Sequence, residues 1–209
     1  MMGKESLVSL ERNCVFRETF SQESIAKNGG TIVGGVTLND GIATFNGTTG
    51  YITYPNSDKV YTLGVVSLRI KLTKNGVGTN GWNTVFMNGG YTTGYGILLK
   101  DDGTLNFYGS GLVCSATLTL IDGVEYDCIA TFDGTKVVWY IDGIFRGTFS
   151  RPGSLTKDTS YGWSLGRSLV GNGYYGNLKY ELVEVYDRAL SASEVSLLST
   201  NNLYSGYTR

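Results

Sequence analysis

Apolar and polar residues alternate with a period of two over much of this chain. Val66, Leu68, Ile70 and Leu72 interleave with Val65, Ser67, Arg69 and Lys71, which predicts an antiparallel strand with one buried and one wet face. Tyr126, Cys128, Ala130 and Phe132 interleave in the same way with Asp127, Ile129 and Thr131. Leu178, Tyr180, Leu182, Glu184 and Tyr186 do so with Lys179, Glu181, Val183 and Val185. The pairs Asp102-Gly103, Asp122-Gly123, Asp133-Gly134 and Asp142-Gly143 fall at strand boundaries, where tight hairpin turns need positive φ. Many short strands punctuated by such turns predict an all-β fold, an antiparallel sandwich of jelly-roll type.

The period changes after Tyr186. Ser191 and Glu194 form an S-x-x-E capping box, in which the serine hydroxyl accepts from the N3 amide and the glutamate reaches back to the cap amide. Leu190 and Val195 are spaced as a hydrophobic staple around it. One short C-terminal helix is therefore predicted from Ser191 onward.

Four segments carry a resemblance. The stretch LKYELVEVYDRALSASEVSLL, Leu178 to Leu198, is similar to the closing strand and helix of laminin-G-like domains, with Val183, Val185, Tyr186, Arg188, Ala189, Leu190, Ser191 and Glu194 on matching positions. GIATFNGTTGYITYP (Gly41 to Pro55), YDCIATFDGTKVVWYIDG (Tyr126 to Gly143) and YGWSLGRS (Tyr161 to Ser168) resemble further motifs of the same family, in the family's order. The chain thus resembles the laminin-G-like, concanavalin A-like lectin/glucanase jelly rolls from about Phe20 to Thr200. This organisation implies a jelly-roll domain over residues 18–200, an N-terminal extension over residues 1–17 and a C-terminal tail over residues 201–209.

Composition narrows the partners. The 209 residues suit one all-β domain, and 30 glycines with only two prolines suit many turns between uninterrupted strands. Seventeen basic and 18 acidic residues give a net charge of -1, so nothing electrostatic favours nucleic acid. No apolar run is long enough to insert in a membrane, and MMGKESLVSLERN has no core of signal-peptide length. Cys14, Cys114 and Cys128 are odd in number and widely spaced, which predicts free thiols on strands rather than disulfides or a zinc site.

The same reading bears on catalysis. Glucanases of the resembled fold carry E-x-D-x-E on one strand, three carboxylates on one face. Here Glu181, Val183 and Val185 supply one acid where three are needed, and Glu184 falls on the opposite face in strict alternation. A chain without histidine has no Ser-His-Asp or Cys-His constellation. No enzyme activity and no cofactor are expected. Calcium, the ion the resemblance implies at the sandwich rim, would fall to Asn39, Asp40 and Glu181. It is not favoured, because Glu181 stands where the family has a shorter aspartate.

Two glycine-rich loops offer flat aromatic faces beside amides, the mixture that suits sugar C–H groups and hydroxyls. Their candidate glycan-binding residues are Trp82, Asn83, Tyr91, Tyr95, Asn172, Tyr174 and Tyr175. Leu7, Val8, Leu10, Val15 and Phe16 are apolar residues ahead of the resembled domain, and are expected to dock on a neighbouring protein chain. The function expected is therefore that of a non-catalytic structural or decoration component of a larger assembly, such as a bacteriophage virion surface. The alternative is a lectin-like module that meets a cell-surface glycan. A virion-surface or extracellular location follows from the missing export signal in the first case and from the glycan in the second.

Overall fold

The computed structural model describes residues 10–55, 60, 64–89, 93–109, 111–150, 155, 162–169 and 173–200. Fifteen strands among them form two antiparallel sheets. The first sheet takes β1 (Cys14–Glu18), β3 (Val36–Asn39), β4 (Ile42–Phe45), β6 (Val66–Lys74), β11 (Glu125–Phe132), β12 (Lys136–Ile141), β13 (Ile144–Ser150) and β15 (Leu178–Tyr186). Its order is β13-β12-β11-β6-β15-β4-β3, with β1 also paired to β15. The second takes β2 (Thr31–Val33), β5 (Tyr51–Tyr54), β7 (Trp82–Gly89), β8 (Gly94–Lys100), β9 (Thr104–Gly109), β10 (Leu112–Thr119) and β14 (Trp163–Leu165), in the order β10-β9-β8-β7-β14-β5-β2. This is the jelly-roll sandwich that the alternation predicts. The helices α1 (Gln22–Lys27) and α2 (Ala192–Thr200) flank it.

The inner faces meet in one apolar core, where Trp163 stacks on Tyr54 at 4.0 Å and meets Phe16 edge-on at 4.3 Å. Aromatic pairs of this kind each add about 0.5–1.5 kcal/mol beyond the area they bury. The two-residue turns follow from backbone chemistry. At Asp142-Gly143 both residues have positive φ (53° and 75°), and Asp40-Gly41 joins β3 to β4 in the same way (49° and 78°).

The sheet of eight strands departs from the expected wet outer face. Ser67, Arg69 and Glu184 are as buried as the apolar residues they alternate with. They lie beneath a second apolar cluster of Leu10, Ile129, Tyr186, Leu190, Val195 and Leu198, which α2 and residues 10–13, themselves helical, bring over the sheet. Arg69 bonds Asp127 at 2.8 Å, Glu184 at 3.2 Å and the Leu198 carbonyl at 2.9 Å. Arg17 and the Tyr186 hydroxyl donate to Glu184 at 2.8 Å each, so the Arg69 charge that alternation marks as solvated is neutralised by buried carboxylates instead.

Strict alternation also fails within β15, at a bulge between Tyr180 and Leu182. Leu178 and Tyr180 face the main core, and so do Val183 and Val185, because the extra residue reverses the phase.

The segment expected to lie outside the domain is partly built into it. Strand β1 pairs with β15 from Cys14↔Tyr186 to Glu18↔Val183. Leu10 is buried in the second cluster, and Val15 and Phe16 pack against the main core. Leu10 thus presents no apolar surface to a neighbouring chain, and Val15 and Phe16, half-buried, present only part of theirs. Leu7 and Val8 lie outside the described residues. Glu18 is buried and accepts from the Thr19 and Phe20 amides, Asn28 Nδ2 and the Tyr54 hydroxyl. This carboxylate fixes the turn at Phe20, whose φ is +58°. Cys14, Cys114 and Cys128 form no disulfide, and burial pushes the Cys14 thiol up to about 12.

Candidate functional site

On the sheet of seven strands, Leu105 and Phe107 point inward, so Asn106 and Tyr108 point out. On β5 the inward pair is Ile52 and Tyr54, which turns Tyr51 outward. Trp82 and Lys100 are direct partners across β7 and β8. The Trp82 ring meets Tyr108 edge-on at 6.1 Å, and Lys100 Nζ lies 5.4 Å from the Trp82 ring centroid. Burial, and the nearby Tyr174, raise the Tyr108 hydroxyl above the ordinary phenol value.

Residues 173–177 bring two further tyrosines to this face, and their backbone is fixed at almost every position. Thr84 Oγ1 donates to the Tyr174 carbonyl (2.6 Å), the Thr79 amide to the Tyr175 carbonyl (3.0 Å) and the Asn177 amide to Asn83 Oδ1 (2.6 Å). The Gly176 amide donates to Gly166, and the Gly47 amide to the Gly176 carbonyl. Tyr175 stands 6.3 Å from Tyr51, ring to ring. The Arg167 guanidinium carbon lies 5.0 Å from the Tyr51 centroid and 5.2 Å from that of Tyr175. The result is a half-exposed run of aromatic rings with two cations against their faces, on an anchored scaffold.

The sequence candidates divide accordingly. Trp82, Tyr174 and Tyr175 come together on this face. Asn83 does not present its amide to solvent: fully buried, it donates to Asp101 at 3.2 Å and accepts from Asn177, so it holds the loops. Tyr95 is a core residue, 2% exposed, with its ring stacked on Phe86 and its hydroxyl bonded to the Val60 carbonyl. Its position on β8 puts it among inward residues, which excludes it from ligand contact. Tyr91 and Asn172 lie outside the described residues. Tyr51, Tyr108, Lys100 and Arg167 were not among the candidates, although the outward phase of Tyr51 is readable from its alternation with Ile52 and Tyr54.

The three calcium candidates are engaged otherwise. Asn39 Nδ2 donates to Asp40 at 3.2 Å within the hairpin turn, where Asp40 serves the positive φ. Glu181 sits at the β15 bulge beside Glu125 and Lys71. Burial, and then the Glu125 carboxyl, push its pKa up to about 7. Among the described residues, no group of three His, Cys, Asp or Glu side chains could hold a metal.

Residues 28–196 match the family described as the concanavalin A-like lectin/glucanases superfamily. The chain belongs to this superfamily. No curated protein sequence matches it. Among solved structures it is similar to domain 4 of AbnA, an extracellular arabinanase of Geobacillus stearothermophilus, in complex with arabinotriose: TM-score 0.67, 19% identity, 90% of this chain and 98% of that one. It is also similar to the binding domain of Paraclostridial Mosquitocidal Protein 1 (TM-score 0.72, 16% identity, 91% of this chain and 52% of that one). A Trypanosoma rangeli sialidase matches with TM-score 0.70 and 15% identity over 94% of this chain, which spans 34% of the sialidase. At these identities the likeness is one of fold.

Proposed function

We propose that the chain is a non-catalytic, lectin-like module that binds a glycan on the outer face of its seven-stranded sheet, at Trp82, Tyr108, Tyr174, Tyr175 and Tyr51. The observation that carries this reading is the fixed, half-exposed aromatic run described above. Ring faces take the apolar C–H side of a sugar, and pre-ordering of the loop lowers the entropy that binding would otherwise cost. The arabinotriose bound to the AbnA domain supports the same reading by likeness of fold.

A non-catalytic role is supported by the engagement of the carboxylates. Glu184 is enclosed by Arg17, Arg69 and Tyr186, while Glu181 meets Glu125 and Lys71. The assembly role expected from sequence is less favoured, because Leu10 is buried within the chain and Val15 and Phe16 pack partly against its core. An extracellular place of action accompanies the glycan reading.

A glycan array probed with the wild type, Trp82→Ala and Tyr175→Ala tests the proposal. Binding to a restricted set of glycans, lost in both variants while melting temperature is kept, is the expected result. Binding that survives both substitutions would place the ligand elsewhere.

A further inference from the structure

Arg167 differs from the ion-paired cations of this chain in its surroundings, and shares with Arg146 a buried Nε that has no hydrogen-bond partner among the described residues. Arg17 and Arg69 pair with Glu184, Arg188 pairs with Glu194, and Lys74 pairs with Asp122. Arg167 forms no ion pair among the described residues. The guanidinium is nevertheless held in place: the rings of Tyr51 and Tyr175 lie 5.0 and 5.2 Å from it, and Gly173 closes over Nε. A Cβ on Gly173, whose φ is +57°, would stand 2.7 Å from Nε, so a glycine is needed for this close approach. The Arg167 carbonyl is in turn fixed by Ser164 Oγ at 2.5 Å.

A cation clamped between aromatic faces, with no acid of its own, is arranged for an anion from outside. The planar fork of arginine matches a carboxylate in a bidentate way that a lysine does not. Taking the glycan reading above as its basis, we propose that Arg167, between Tyr51 and Tyr175, selects a carboxylate-bearing sugar such as a uronic or sialic acid. In this arrangement the rings take the apolar face of the sugar, and Arg167 pairs with its carboxylate. The contribution to affinity falls with added salt, because the cluster is half-exposed.

The test compares each acidic oligosaccharide with its neutral counterpart by calorimetry: sialyllactose with lactose, and oligogalacturonide with its carboxyl-reduced form. The wild type is expected to prefer the acidic member by roughly tenfold, as a charge-assisted pair allows. Arg167→Gln should abolish the preference while leaving neutral binding in place, and Arg167→Lys should keep only part of it. Equal binding of acidic and neutral members by the wild type would overturn this assignment and leave the glycan reading standing. Sulfated lactose binding as tightly as sialyllactose would overturn the carboxylate specificity. If acidic and neutral binding fell together in both variants, Arg167 would be an anchor of the loop and not a selector. If no saccharide bound the wild type, the glycan reading would fail, and this one with it.

Discussion

Tyr51 on a strand and Tyr175 in the closing loop stand 6.3 Å apart, ring to ring, with the Arg167 guanidinium against both. Residues remote in the sequence reach this arrangement because the jelly roll sets β5 beside β14 and returns the following loop across them. The same fold buries charge on its other sheet, and the stability of that sheet can be tested separately from binding.

Arg69→Ala should be strongly destabilising. It would leave the buried carboxylates of Asp127 and Glu184 short of their shared cation and the Leu198 carbonyl without its donor. A loss of about 3–5 kcal/mol is expected, equivalent to roughly 10 °C in melting temperature for a chain of this size. A shift within error of zero would show that water or another group takes over.

Ser191→Ala should cost about 1 kcal/mol. The cap is formed as the sequence predicts: the Ser191 amide donates to Glu194 at 2.9 Å, the Glu194 amide meets Ser191 Oγ at 3.4 Å, and both Leu190 and Val195 are buried. A denaturant midpoint equal to that of the wild type would contradict the cap.

Glu18→Ala should destabilise by more than a surface substitution does, about 2–3 kcal/mol, because it leaves several buried donors without an acceptor and frees the strained turn at Phe20. Chemical denaturation checks this. An unchanged midpoint would mean that β1 and the segment after it contribute little to the domain.

Glu181 gives a pH dependence. Its folded pKa is raised to about 7 by burial and by Glu125, so the protonated form is the one that folding favours. The stabilising contribution is complete below the ordinary carboxylate range and is lost as pH rises toward 7 and above. Glu181→Gln should therefore gain stability relative to the wild type between pH 4 and pH 8, by no more than a few degrees because the group is partly solvated. A difference that does not change with pH would remove the carboxyl pair from the account.

The sandwich was legible because period-two alternation and Asp-Gly turns are local signals, and the helix cap because Ser191 and Glu194 are three residues apart. The second cluster was not. Ser67 and Arg69 read as a wet face until β11, β6 and β15 are set side by side and Leu198 is laid over them. The bulge at Tyr180/Leu182 leaves no mark in the hydrophobic pattern, yet it reverses the phase of everything after it. Trp82, Tyr174 and Tyr175 were recognisable as aromatics among glycines and asparagines. Tyr95 has the same neighbours, and only its inward phase on β8 sets it apart. Arg167 acquires its meaning from Tyr51, which a reading along the chain does not bring near it.

Tryptophan fluorescence tests the central claim most directly. Trp139 is fully buried and Trp163 is 2% exposed, whereas Trp82 is half-buried at the aromatic face, so a ligand bound there perturbs Trp82 first. Titration with an oligosaccharide that binds on the array should shift the emission and protect it from acrylamide quenching, in a saturable manner that Trp82→Phe abolishes. Binding that saturates by calorimetry while Trp82 emission and quenching stay unchanged would contradict the assignment of this face.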